Sequence, residues 1–167
     1  MSVDTEPERL RERPLELPSL QFKNLNISVK KQIALIERRS EVLITTYPFE
    51  QKKTIIQIVN FLRDEVLIHL EWEEKVLYPA IDRKVTTSRS EKFTSGMRYE
   101  HNIIRRWFLD LDNETKLRYP DARRFSYQAA QLIGLLKAHL EKEEELLLPI
   151  LDTTMSPQQF HDEILFD

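Results

Sequence analysis

An all-α fold is what this sequence predicts: an antiparallel up-down-up-down four-helix bundle with an N-terminal arm and a short C-terminal helix. Three observations predict it. Only two of the 167 residues are glycine, far below the usual ~7%, which disfavours folds built from tight hairpins or glycine-rich phosphate loops. The prolines, at 7, 14, 18, 48, 79, 120, 149 and 157, punctuate long stretches of helix formers. Within those stretches apolar residues recur in steps of three and four, the spacing of a buried helix face.

The segment from Met1 to Pro18 holds three prolines and many charges, and residues 1–19 read as a flexible arm. Helix one runs from about Leu20 to Thr46, with the stripe Phe22, Leu25, Val29, Ile33, Ile36 and Leu43, and Tyr47-Pro48 ends it. Helix two follows, from about Phe49 to Lys84. The polar run 85–88 breaks the chain, and Ser88 or Ser90 is placed to cap helix three, which extends to about Arg118. Tyr119-Pro120 makes the next turn. Helix four covers about Asp121 to Asp152. Ser156-Pro157 then opens a short helix, serine as cap and proline at the first helical position. The bundle is therefore expected over 20–155, with 156–167 as the appended helix.

Composition excludes several functions. The balance of 25 basic and 28 acidic side chains gives a net charge of −3, which offers no footprint for nucleic acid. The chain has no cysteine, so disulfides, thiolate metal sites and thiol nucleophiles are excluded. No apolar run approaches the ~18–20 residues of a membrane span. The N-terminus lacks the apolar stretch of a signal peptide, so a cytoplasmic location is expected.

The seams carry the chemistry. Helix two is expected to bury Ile55, Val59, Leu62, Val66, His69, Glu73, Val76 and Ala80. Helix four repeats the pattern position by position as Phe125, Ala129, Leu132, Leu136, His139, Glu143, Leu146 and Ile150. Identity repeats as well: HLEWEEKVLYPAID (69–82) and HLEKEEELLLPILD (139–152) share His, three Glu, Pro and Asp in register. A buried glutamate costs several kcal/mol unless paired, protonated or bound to a cation. Here two seams each carry one, with a histidine one turn before it.

Helix three places His101 in the middle of its stripe of Ser90, Thr94, Met97, Ile104, Phe108 and Leu111. His101 and His139 lie equally far along the chain from Pro120, one before it and one after. A hairpin turning there sets both at one height, about 27 Å along each helix. His69 joins that layer through the repeat. Three imidazoles and two carboxylates make a donor set for iron, manganese or zinc. Glu71, Glu74, Glu141, Glu144 and Glu145 read as solvated faces, Trp72 as packing, Arg105 as a flank residue and His161 as surface.

With His-x-x-x-Glu on helix two, Glu-His at 100–101 and His-x-x-x-Glu on helix four, the chain resembles the hemerythrin-like, HHE cation-binding family over about residues 20–152. Ferritin-like bundles instead place glutamate three residues before histidine; those positions here are Val66, Arg98 and Leu136. The resemblance implies a bundle around a non-haem iron centre, di-iron or mononuclear, with metal ligands His69, Glu73, His101, His139 and Glu143. It also implies a small oxidant such as dioxygen or peroxide as partner, and sensing or slow redox chemistry as function. The family's helix-one histidine is missing, since residues 1–68 contain none. Aligning the two Tyr-Pro turns maps His101 onto Val29, with Asn26, Gln32 and Glu37 as nearby polar candidates. A tighter metal position at His101/His139 than at His69 is then expected. A non-catalytic interaction module with a vestigial or structural metal site is the alternative class.

Overall fold

The computed structural model describes residues 14–85 and 92–165, and every regular element among them is helical. Helix α1 spans Pro18–Leu43. Its start, slightly earlier than expected, follows from Pro18, whose fixed φ suits the first helical position and whose missing N–H is not needed there. Helix α2 spans 48–84 and again starts on a proline. It contains two π-helical turns, Leu62–Leu67 and Glu73–Leu77. Helix α3 spans Ser95–Lys116 and α4 spans Ala122–Thr154, where the Asp121 carboxylate accepts from the amides of Arg123 and Arg124. Helix α5 covers 157–165. Ser156 and Gln159 form a reciprocal capping box at its start. The proposed caps Ser88 and Ser90, and residues 1–13 of the arm, lie outside the described residues; Thr94 precedes the first turn of α3.

The buried residues of α1 step as Phe22, Asn26, Val29, Ile33, Ile36, Ser40, Leu43. The alternation of four and three places Asn26 in the seam where Leu25 was expected. On α2 and α4 the matched steps hold as far as the glutamates, Glu73 and Glu143, except that His69 is half-buried beside the buried Leu70. Beyond the glutamates, Leu77 and Ile81, and Leu147 and Leu151, are buried in place of Val76 and Leu146. An α-helix has about 3.6 residues per turn, so a seam with a strict period of about 3.5 drifts around it and the stripe slips by one position.

Contacts set the neighbours. Along α1 and α4 the partners rise on one helix as they fall on the other: Ser19 with Asp152, Lys30 with Glu144, Ser40 with Ser126. The same holds for α2 and α3 (Arg63 with Asp112, Asp82 with Thr94) and for α3 and α4 (His101 with His139, Glu114 with Arg124). The repeat explains two of these contacts. Asp82 and Asp152, equivalent positions of the two halves, each cap a neighbouring helix start by accepting from a backbone N–H and a hydroxyl: Thr94 at 3.0 and 2.8 Å, Ser19 at 2.9 and 2.7 Å.

Two apolar clusters form the core. One contains Val29–Leu43, Ile55–Leu70, Ile104–Leu111 and Ala122–Leu140 positions; the other contains Phe22, Leu77–Ile81, Met97, Leu147–Met155 and α5 residues Phe160 and Ile164. On each of the four long helices the chain passes from one cluster to the other through a buried polar residue: Asn26, Glu73, His101, and His139 with Glu143.

Candidate metal centre

The polar layer is buried. Glu73, His101 and Glu143 have no exposed surface and His139 has 1%. Their helices put them there by periodicity alone, each one turn from an aliphatic neighbour on the same face. His69 sits at the edge, half-buried, its ring stacked on Trp72 at 5.5 Å. Trp72 packs as expected, its indole N–H donating to the Ile164 carbonyl at 3.1 Å.

Hydrogen bonding fixes the two central imidazoles. His101 Nδ1 lies 2.9 Å from Glu74 Oε1 and His139 Nδ1 lies 3.0 Å from Glu100 Oε2. A carboxylate only accepts, so each Nδ1 carries the proton it donates. In a neutral ring Nε2 is then a lone pair. The two Nε2 atoms face each other at 2.9 Å. Burial holds the His139 imidazole below its usual range, against the pull of Glu100. Two lone pairs at that separation repel unless one positive charge, a proton or a metal cation, stands between them.

The surrounding atoms are equally short of donors. Glu73 Oε2 is 3.3 Å from His101 Nε2. Its other oxygen is 2.7 Å from His69 Nε2, but out of line for a hydrogen bond, so both buried atoms lack such a partner. Glu143 Oε2 lacks one too. Asn26 lies against Glu143 and favours its charged form, although neither Asn26 side-chain atom makes an aligned hydrogen bond.

The carboxyls split. Burial, then the charge of Glu73, pushes Glu143 well above the usual carboxylate range, against the hydrogen bond from Tyr78. Burial also acts upward on Glu73, but His69 and His101 outweigh it and hold Glu73 low. Orphaned acceptors converging from three helices, backed by carboxylates on the far imidazole nitrogens, fit a metal cation. Glu73, His101 and His139 each offer a ligand atom, all within 4.8 Å of one another.

Three expected placements differ in the structure. Glu74 is not a solvated face residue. It is gripped by the Arg105 guanidinium at 2.7 and 2.9 Å and orients His101. Glu144 is also half-buried and pairs with Lys30, whereas Glu71, Glu141 and Glu145 are exposed. On α1, Val29 belongs to the aliphatic cluster, and Asn26, one turn earlier, is the polar side chain that reaches the site. Gln32 and Glu37 are turned away, bonded to Glu65 and Lys137. His161 contacts Asp162 on α5 at 3.0 Å.

The profile of the hemerythrin HHE cation binding domain matches residues 28–151. The chain belongs to that hemerythrin family. No curated protein and no solved structure matches it. Within the family match fall all five ligand candidates, while Asn26 lies just before it.

Tyr78, not among the expected ligands, places its hydroxyl in the centre of the layer. It donates to Glu143 Oε1 at 2.7 Å and lies 3.2 Å from His101 Nε2 and 3.5 Å from Glu73 Oε2. Burial, with the charges of Glu73 and Glu143, raises the phenol far above its usual range and keeps its proton on. The signal was in the repeat: Tyr78 stands where Leu148 stands in the other half. Leu148 is only half-buried; Tyr78 directly follows the π turn Glu73–Leu77 and is wholly buried. A π turn takes more residues per revolution and re-aims the side chains after it, which is why such turns recur at functional sites.

Proposed function

We propose that this chain is an iron-binding hemerythrin-type protein whose cation is held by Glu73, His101 and His139, with His69 and Glu143 as flanking ligands. The helices, in up-down-up-down order over 20–155, serve as the frame for that site. The observation that carries the reading is the pair of imidazole Nε2 atoms 2.9 Å apart, each with its Nδ1 on a carboxylate. Such carboxylate–histidine pairs orient metal-ligating imidazoles and raise their basicity.

Mixed imidazole and carboxylate donors suit non-haem iron, and open positions on an incomplete shell admit a small oxidant such as dioxygen or peroxide. The missing helix-one histidine, with Asn26 at the site instead, supports oxidant or iron sensing, or slow redox chemistry, over reversible oxygen carriage. No helix among the described residues is long and apolar enough to cross a membrane.

Metal analysis after iron reconstitution tests this. Retention of iron by the wild type, lost in a His101→Ala, His139→Ala double variant that keeps its helicity, is the expected result. Iron near zero in the reconstituted wild type would overturn the proposal and favour a non-catalytic interaction module.

A further inference from the structure

Tyr78 makes contacts that hydrogen bonding does not account for. Its hydroxyl has one proton, and the shortest acceptor, Glu143 Oε1 at 2.7 Å, takes it. Against Glu73 Oε2 at 3.5 Å the phenol oxygen then has no proton left to donate and presents only lone pairs. Acceptors gather around this oxygen as they gather around the two imidazoles.

We propose that Tyr78 is itself a ligand: its oxygen joins Glu73, His101 and His139 around one cation. This rests on the metal-binding reading above. Donor atoms bound at ~2.0–2.2 Å to a single ion stand roughly 2.8–3.6 Å apart in octahedral or tetrahedral shells. The observed edges are 2.9 Å between the two Nε2 atoms, 3.2 Å from Tyr78 to His101, 3.3 Å from His101 to Glu73 Oε2, and 3.5 Å from Tyr78 to Glu73 Oε2. Each matches the spacing of neighbouring ligands.

The step balances without any change in oxidation state. The phenol O–H bond breaks, its proton is released to solvent as the cation enters, and the oxygen forms a bond to the cation. A bound cation inverts the local preference that keeps this phenol protonated. An anionic oxygen is a hard donor and favours ferric over ferrous iron, which sets this site apart from a ferrous carrier.

The test uses the full chain loaded with ferric citrate, with iron per chain measured in each sample. The expected result is a visible phenolate-to-iron charge-transfer band, with tyrosine ring modes in its resonance Raman spectrum. The band is lost in iron-saturated Tyr78→Phe and retained in Tyr99→Phe, whose ring is exposed. Zinc added to the metal-free wild type gives a second readout independent of any variant: the ultraviolet difference signal of one ionised phenol. Iron-loaded wild type without the band, a band that survives Tyr78→Phe, or zinc binding with no ionised phenol would each overturn the ligation by Tyr78 while leaving metal binding intact. A wild type that takes up neither metal overturns both.

Discussion

Replacing Glu74 by alanine isolates the orientation of His101 from the metal bond itself. Glu74 is a quarter exposed and touches no other buried candidate ligand, so its loss leaves the apolar clusters whole. What disappears is one hydrogen bond of 2.9 Å to Nδ1 and the anchor of Arg105 at 2.7 and 2.9 Å. Without the carboxylate, nothing holds the proton on Nδ1 or the ring plane toward His139, and Nε2 becomes a weaker base. Outer partners of this kind are worth about 10–100-fold in metal affinity, or ~1.4–2.7 kcal/mol. Competitive titration with zinc, which has no redox chemistry of its own, measures this at one fixed pH. Glu71→Ala is the control, since Glu71 is exposed and pairs with Lys75 on the surface. Zinc affinity in Glu74→Ala within threefold of wild type, with helicity unchanged, would refute the claim that Glu74 prepares His101 as a ligand.

Other outcomes follow from the same geometry. Because folding raises the Glu143 pKa above its ordinary 4.5, the metal-free protein is most favoured by this group below pH 4.5 and loses that contribution as pH rises through the folded value. Metal-free Glu143→Gln, which stays neutral, should therefore gain stability relative to wild type as pH rises from 4.5, read by urea denaturation; a constant difference would contradict the shift. Asn26→His should raise metal per chain, whereas Val29→His should lower the melting temperature without raising it, because Val29 lies in the aliphatic cluster; metal analysis and calorimetry decide. Phe160→Ala, removing a wholly buried ring that ties α5 to the bundle, should cost about 3–5 kcal/mol in a denaturant titration, and a loss under about 1 kcal/mol would show that α5 is not part of the core. Chelation of the metal-loaded protein should lower its melting temperature, since a ligand held only by the folded state adds stability by mass action, about 2.7 kcal/mol at 100 times Kd.

Helix periodicity is a local property, and what it governs was legible in the residues. The four long helices, the stripe through Met97, His101, Ile104 and Phe108, the internal repeat and the placing of His139 and Glu143 inside the bundle all follow from spacing along one chain segment. The aspartates of the repeat were visible too, though not that Asp82 and Asp152 cap other helices. Rotation and lateral approach between helices are not local. They decided that Asn26, one turn before the aliphatic Val29, is the polar side chain α1 brings to the layer, because the rotation of α1 turns it against Glu143 on α4. They turned Glu74 and Glu100, each next to a seam residue, onto the Nδ1 atoms of histidines on the facing helix. And the second π turn of α2, for which no rule of composition or spacing provides, carried Tyr78 into the centre of the site while its counterpart Leu148 stayed half-buried.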